Sequence, residues 1–368
     1  MIVSKAFVSV FIKLFLGAAQ YIFIKELLHT KVRDTSGKEV EFTRTFFVTF
    51  ATFAAMALTA LPLGYGELRK CFTPQPEGES ENVYSLRGAL LTSFPALLDF
   101  IALQVSYDAS IYIAASVVVL LKATRVIFAA SLTSCILKRP QKGYQWVGIL
   151  ITVLGILPIA GESIGRDSSS SNSSPIKVII ALCMILLAEL FRAVRFVYEE
   201  RLLKTERLSP SFLVLMESSF GLVFATCSWL IADAAGFESI SETLAMFKGS
   251  PAVQGLLFAT ALSSGICNIA GAFITKFLSS VHNALVSELR VVFVWIPNVI
   301  RYFCDKEDAV AENRKPKGEP LDLWSTLKVV GFGVLITGAY VYNGNIKLPC
   351  AGLYPVEQPV TEKTLDVI

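Results

Sequence analysis

Charged residues are scarce in this 368-residue sequence. Only 17% of its residues are Asp, Glu, Lys or Arg, whereas a soluble domain usually carries about 25%. Hydrophobic residues make up 54% of the chain, and the mean hydropathy is +0.59. This composition excludes an ordinary soluble protein and predicts an integral membrane protein.

Residues typical of metal and catalytic sites are also few. The sequence has two histidines, and its seven cysteines follow no metal-binding spacing. It contains no glycine-rich phosphate loop and no Ser/His/Asp constellation. An intramembrane protease needs paired aspartates, and only Asp99 lies deep in an apolar segment. We therefore expect no enzyme activity, no metal and no cofactor.

Long apolar segments dominate the chain instead. A bilayer core of about 30 Å requires about 20 mostly apolar residues per helix. We expect the first segment to be an uncleaved helix rather than a secretory signal, because its apolar run continues through Tyr21–Ile24. The predicted fold class is an all-α membrane protein with ten transmembrane helices, near 4–26, 45–65, 88–107, 110–136, 144–162, 176–198, 211–233, 252–275, 281–303 and 324–344.

The two halves of the sequence resemble each other in order. RVIF at 125–128 corresponds to RVVF at 290–293, and YIFIKELL at 21–28 corresponds to FVYEERLL at 196–203. Glycines seven residues apart recur near the end of each half. A five-helix unit leaves the membrane opposite its entry, so the pattern predicts two inverted five-helix repeats, a transporter signature. The predicted units are a first repeat (1–165), a Ser-rich loop (166–175), a second repeat (176–347) and a flexible tail (348–368).

Orientation depends on one motif. Asn172 begins an Asn-Ser-Ser acceptor sequence for N-glycosylation within the Ser-rich loop. If the acceptor is used, this loop faces the lumen or the exterior, and both termini face the cytosol. The alternative is an unused match, because short motifs are common in Ser-rich runs.

Charges within the apolar segments identify candidate site residues. Lys122 and Arg290 lie near the centres of the fourth and ninth segments, which the repeat relates to each other. A cation at a helix centre costs roughly 2.5–3.5 kcal/mol, so it faces protein, water or a counter-charge. We expect these two cations to face each other across a cavity that binds an anion. Asp99 and Glu288 would be counter-charges or proton carriers, and Arg125 would lie at the cavity edge.

Two alternatives remain for Lys122 and Arg290. They form permanent salt bridges with Asp99 and Glu288, or they reach the lipid headgroups. Other charges have simpler interpretations. Lys13, Arg195 and Glu217 lie nearer the segment ends, which favours snorkelling, and the three-residue spacing of Glu189 and Arg192 favours a local ion pair.

Several strings resemble one known family. PALLD at 95–99, ESSFG at 217–221, NIAGAFITKFLSS beginning at Asn268, ELRVV at 288–292 and TGAYVYNG at 337–344 are similar to the drug/metabolite transporter superfamily. The likeness within it is to the nucleotide-sugar-transporter-like F branch of solute carrier family 35. It covers residues 85–347 and implies ten helices, inverted halves and cytosolic termini.

The resemblance also bears on the site. It implies site roles for Asp99, Asn268 and Arg290. Lys122 occupies the position of a family Arg that is followed by Gly, but Ala123 follows it here. A Lys keeps the charge without the planar fork of Arg, which puts a bidentate phosphate contact in doubt. Arg125 has no counterpart in the family pattern.

The predicted function is a transporter that moves a small, anionic, nucleotide-sugar-like solute by alternating access. A more distant likeness to chloroquine-resistance-type transporters supports an alternative, a proton-coupled amino-acid, peptide or drug transporter of an acidic organelle. A non-transporting membrane scaffold is a second alternative. The expected partners are a small solute and the lipid bilayer, not nucleic acid, with a homodimer left open. We expect an endomembrane (Golgi, endosome or lysosome) rather than the plasma membrane.

Overall fold

The computed structural model describes residues 2–33, 38–72, 86–110, 121–167, 175–311, 323–346 and 349. Helices dominate this part of the chain. Their bounds are α1 Ile2–His29, α2 Thr45–Phe72, α3 Leu86–Leu91, α4 Ser93–Ser110, α5 Thr124–Ile136, α6 Gly143–Asp167, α7 Pro175–Lys204, α8 Pro210–Ala234, α9 Ile240–Gly249, α10 Pro251–Phe277, α11 Ser280–Ala311 and α12 Leu323–Tyr342.

The predicted membrane class is confirmed. Among the described residues, seven helices are long and apolar enough to cross a bilayer, and two further apolar helices are shorter. Every predicted segment coincides with helix, although residues 111–120 of the fourth segment lie outside the described residues. Asn172 and most of the Ser-rich loop lie outside the described residues, as does nearly all of the tail.

Two small elements were not predicted from the sequence. Strands β1 (Lys31–Arg33) and β2 (Glu39–Glu41) form an antiparallel hairpin between α1 and α2. The ten-residue helix α9 contacts the same hairpin. Both elements are too short for a membrane-length hydropathy window to detect. They share a core with the adjoining helix ends, formed by Leu27, Val32, Phe42, Trp229 and Met246 among others.

Glu238 fixes the start of α2. Its carboxylate accepts hydrogen bonds from the backbone N–H groups of Phe46 and Phe47, at 3.1 and 3.0 Å. These two N–H groups lack helical acceptors because they lie in the first turn. Nearby, Arg44 forms a 2.9 Å ion pair with Glu242 of α9. Burial raises the pKa of the Glu238 carboxyl, although the two N–H groups and Arg44 act in the opposite direction.

The third apolar segment is broken into α3 and α4. Helix α3 ends at Leu91, and α4 begins at Ser93, two residues before Pro95. Pro95 has no N–H to donate, so it fits the first turn of α4 but not the middle of a continuous helix. The hydroxyl of Thr92 donates to the carbonyl of Ala89 at 2.6 Å. The break therefore lies where the backbone loses a donor.

The glycines near the end of each half bring α6 and α12 together. A Cβ on Gly148 would lie 2.5 Å from the backbone N of Tyr342, and one on Gly155 would lie 2.6 Å from that of Leu335. A Cβ on Gly338 would reach the backbone N of Thr152 at 2.5 Å. In lipid, helices associate by close packing at small residues, so these glycines are packing residues.

Other helices associate in equally regular pairs. Helix α1 packs along α10, α4 packs along α7, and α2 packs along α8. Helix α5 contacts both α7 and α11, and α11 in turn contacts α1. Helix α7 is poor in apolar residues on one side, where Glu189, Arg192, Arg195 and Glu199 follow one another at spacings of three and four. This polar stripe faces the interior of the bundle, where the candidate site lies.

Candidate functional site: a charged central cavity

A cavity of about 170 Å³ lies at the centre of the bundle. Side chains of α1, α2, α4, α5, α7, α10 and α11 line it, together with Lys122 just before α5. Cations dominate the charged part of its wall. They are Lys13, Lys122, Arg125, Arg192, Arg195 and Arg290, whereas the lining carboxylates are Asp99 and Glu199.

The cavity gathers most of the residues proposed from the sequence. Lys122, Arg125, Asp99, Asn268 and Arg290 all line it, although they come from four separate parts of the chain. The sixth candidate, Glu288, is buried beside it but is not part of the lining.

Arg125 is engaged by a carboxylate. Its Nε lies 2.6 Å from Oε2 of Glu189, and the other oxygen of Glu189 accepts from Arg192 Nη1 at 2.5 Å. Arg192 also donates to the backbone carbonyl of Ala102 at 3.3 Å. Glu189 is fully buried. One carboxylate thus holds two arginines, which fixes Arg125 in the cavity wall by a permanent contact between α5 and α7.

Arg195 is surrounded by carboxylates from three helices. It forms ion pairs with Asp99 of α4 and Glu199 of α7, and its Nη2 lies 3.3 Å from Oε2 of Glu217 on α8. The same Nη2 donates to Oδ1 of Asn268 at 3.3 Å. We call Asp99, Arg195, Glu199 and Glu217 the Arg195 cluster. Only 7% of the Arg195 side chain is exposed, so lipid headgroups do not share these contacts.

Three cations of the cavity lack such partners. Lys13, Lys122 and Arg290 form no ion pair within 4 Å among the residues that the structure describes. The proposed salt bridges of Lys122 and Arg290 with Asp99 are therefore wrong, because Asp99 pairs with Arg195. Glu288 likewise forms no ion pair within 4 Å in the described part of the chain.

Neutral groups hold two of these cations in place. Lys13 Nζ donates a hydrogen bond to Oδ1 of Asn283, and it lies 5.4 Å from the ring centre of Phe196. Lys122 Nζ lies 5.5 Å from the ring centre of Tyr21. Such cation–π contacts are worth about 0.5–2 kcal/mol and do not neutralise the charge. Among the described residues, these three cations therefore have no carboxylate in direct contact.

The interpretation of Lys13, Arg195 and Glu217 as snorkelling residues is wrong. All three are buried inside the protein. Lys13 lies close to the middle of α1, because this helix runs from Ile2 to His29. The signal that could have identified Arg195 is the stripe on α7, which continues to Glu199 on the same helical face.

The chain is similar in sequence to solute carriers. No family model matches it. It is 27% identical over 293 residues to an uncharacterised protein of Schizosaccharomyces pombe, covering 77% of this chain and 83% of that one. It is 24% identical to solute carrier family 35 member F6 of Rattus norvegicus over 289 residues, 75% of this chain and 72% of that one. The human protein of the same name is 23% identical over 282 residues, 73% of this chain and 70% of that one.

The fold also has a solved counterpart. A protein of known crystal structure superposes with a TM-score of 0.60 at 13% identity, covering 92% of this chain and 96% of that chain. This likeness shows a shared fold. The chain is an integral, multi-pass, all-α membrane protein. It resembles solute carrier family 35, as the sequence strings indicated.

Proposed function

We propose that this protein is a transporter that moves a small organic anion across a membrane by alternating access. The observation that carries the proposal is the uncompensated charge of Lys13, Lys122 and Arg290 in one central cavity. A desolvated cation without a counter-charge is costly, and a bound phosphate or carboxylate supplies one. A cargo with more than one negative charge, as in a nucleotide-sugar-like solute, suits three converging cations best.

Helix pairing supports the inverted repeat. In the predicted repeat, the helices of the two halves correspond in chain order: α1 to α7, α2 to α8, α4 to α10, α5 to α11 and α6 to α12. The contact of α1 with α10 then corresponds to that of α7 with α4, and the contact of α5 with α7 corresponds to that of α11 with α1. The pairs α2 with α8, α5 with α11 and α6 with α12 correspond to themselves. This is the pairing that two halves related by a twofold axis would make.

Such symmetry favours alternating access over a static assembly. In inverted-repeat transporters the substrate site lies at the repeat interface near the membrane midplane, and one repeat rocks against the other. The lining of the cavity supports this proposal, because α1 and α4 of the first predicted half and α7, α10 and α11 of the second contribute to it. The endomembrane location and the luminal or external position of Asn172 remain predictions, and the homodimer stays open.

Counterflow uptake in proteoliposomes tests the proposal. The panel contains nucleotide sugars, nucleotides, organic acids and amino acids, and the variants are Lys13→Gln, Lys122→Gln and Arg290→Gln. The control is Lys248→Gln, an exposed lysine on α9 outside the cavity. We expect uptake of an anion that each cavity variant reduces and the control preserves.

Other results would favour the alternatives. Uptake of a cationic amino acid or drug that survives all three cavity substitutions would favour the acidic-organelle transporter. Absence of uptake across the panel, with no substrate-induced thermal stabilisation of the purified protein, would favour the membrane scaffold.

A further inference from the structure

The Arg195 cluster has more negative than positive groups. Asp99, Glu199 and Glu217 all contact one guanidinium, and the exposed fractions of their side chains are 12%, 3% and 2%. If all three carboxylates were ionised, the cluster itself would carry a net charge of −2. An uncompensated buried charge costs several kcal/mol, and the group avoids this cost by binding a proton.

An unmade hydrogen bond points to the same cluster. Oε1 of Glu217 is buried and has no hydrogen-bond partner among the described residues, whereas Oε1 of Glu199 forms the ion pair with Nε of Arg195. Oε2 of Glu217 is 3.3 Å from Arg195, which is long for a charge-assisted contact. A carboxyl oxygen that carries a proton needs less compensation than a carboxylate oxygen. The geometry therefore leaves room for a proton on Glu217, and Glu199 contacts the same guanidinium.

Lys13 is a further cation that faces the cluster. The charged groups that face Glu199 and Glu217 are Asp99 on α4, Arg195 on α7 and, for Glu199, Lys13 on α1. Helix α10 contributes the neutral Asn268, whose amide contacts the sulfur of Met56 on α2 at 3.5 Å.

We propose that Glu199 and Glu217 share a transported proton and that the Arg195 cluster is the coupling site of the transporter. The inference rests on the proposed function. Arg195, Asp99 and Glu199 line the same cavity as Lys13, Lys122 and Arg290. Protonation of the cluster makes the cavity more positive, so it strengthens anion binding, and a bound anion strengthens proton binding by the same factor. The expected mode is symport of a proton with the anion.

The test replaces both proton carriers with their neutral isosteres. The Glu199→Gln/Glu217→Gln double variant leaves Arg195 paired with Asp99, so it keeps a balanced buried ion pair. The control is Glu200→Gln, a buried glutamate outside the cavity that binds Lys204 and the backbone N–H of Ser280, both at 2.8 Å. Thermal unfolding of the purified proteins checks that both variants fold.

Transport is measured with and without an inward proton gradient. For the wild type and Glu200→Gln, a gradient of about one pH unit should raise accumulation of the anion by up to about tenfold for one coupled proton. The double variant should show no response to the gradient. If wild-type uptake does not change with the proton gradient, the proposed proton coupling is wrong, but the proposed anion transport still holds.

A second measurement does not depend on transport. The infrared spectrum of the purified wild-type protein at neutral pH should contain the C=O stretching band of a protonated carboxyl, and the double variant should lack it. If the two spectra agree in this band, the cluster holds no proton and the inference fails whether or not uptake is found. Lack of counterflow by itself contradicts only the proposed function.

Discussion

Arg125 Nε lies 2.6 Å from Glu189 Oε2, and both side chains are buried. Arg125 represents one of two kinds of cation in the cavity, those with a carboxylate partner and those without one. Arg125, Arg192 and Arg195 have carboxylate partners within the bundle, whereas Lys13, Lys122 and Arg290 have none within 4 Å among the described residues. The first group links helices of the bundle, and we propose that the second group binds the ligand.

Removal of Glu189 should therefore destabilise the protein. Glu189→Ala would leave Arg125 and Arg192 buried without their shared carboxylate. Loss of one partner of a buried ion pair costs roughly 3–5 kcal/mol. Thermal unfolding in detergent should show a large decrease in stability. Arg139→Ala is the control, because 61% of its side chain is exposed and Glu200 is 3.7 Å away. Glu200 keeps its 2.8 Å contact with Lys204 when the exposed Arg139 is removed, so the control should cost at most about 1 kcal/mol. Equal effects of the two substitutions would contradict the structural role of Glu189.

Charge at position 122 should matter more than side-chain shape. Hydrogen bonds to charged groups contribute roughly 1.5–3 kcal/mol, so Lys122→Gln should weaken binding of the anion by roughly 10- to 100-fold. Lys122→Arg should retain most of the affinity because it keeps the cation. Concentration dependence of uptake measures both variants. If Lys122→Arg loses as much affinity as Lys122→Gln, then shape and not charge determines the role of this residue.

Close packing at Gly148 should not tolerate a methyl group. A Cβ there would lie 2.5 Å from Tyr342 N and 2.9 Å from the carbonyl of Gly338. Gly148→Ala should force α6 away from α12 and cost about 1–3 kcal/mol, as overpacking does. Gly333→Ala on α12 is the matched control, since a Cβ there meets nothing within 4 Å. Helical glycines in open positions gain about 0.4–1 kcal/mol on replacement by Ala. The unfolding temperature should therefore fall for Gly148→Ala and rise for Gly333→Ala.

Stability should depend on pH through Glu238. Burial raises the pKa of this carboxyl in the folded protein, so the folded state binds the proton more tightly than the unfolded state does. The contribution of this group is fully present below its unfolded-state pKa, and it is lost as the pH rises through the raised folded-state value. Glu238→Gln should remove this part of the pH dependence. Thermal unfolding of the wild type and of Glu238→Gln across the acidic pH range measures this contribution. If the unfolding temperatures of the two proteins change with pH in the same way, Glu238 does not contribute to the pH dependence.

The sequence alone determined the membrane class, the helix positions and several candidate residues. Hydropathy suffices for these, because a membrane helix satisfies its own backbone hydrogen bonds and must therefore be long and apolar. A cation within such a helix costs enough free energy that it indicates a candidate functional residue, as at Lys122 and Arg290. Glycine spacing indicated close packing, and the structure identifies α6 and α12 as the two helices that meet.

Only the tertiary structure decided which charges belong together. Arg125 and Glu189 are 64 residues apart in the chain, and Arg195 meets Asp99, Glu199 and Glu217 on three different helices. Sequence spacing reveals contacts within one helix, but it does not reveal which face of a distant helix lies opposite. Ion pairing is set by distances of a few ångströms between helices. The distinction between neutralised and uncompensated cations, on which the proposed function depends, therefore emerges only when the bundle is assembled.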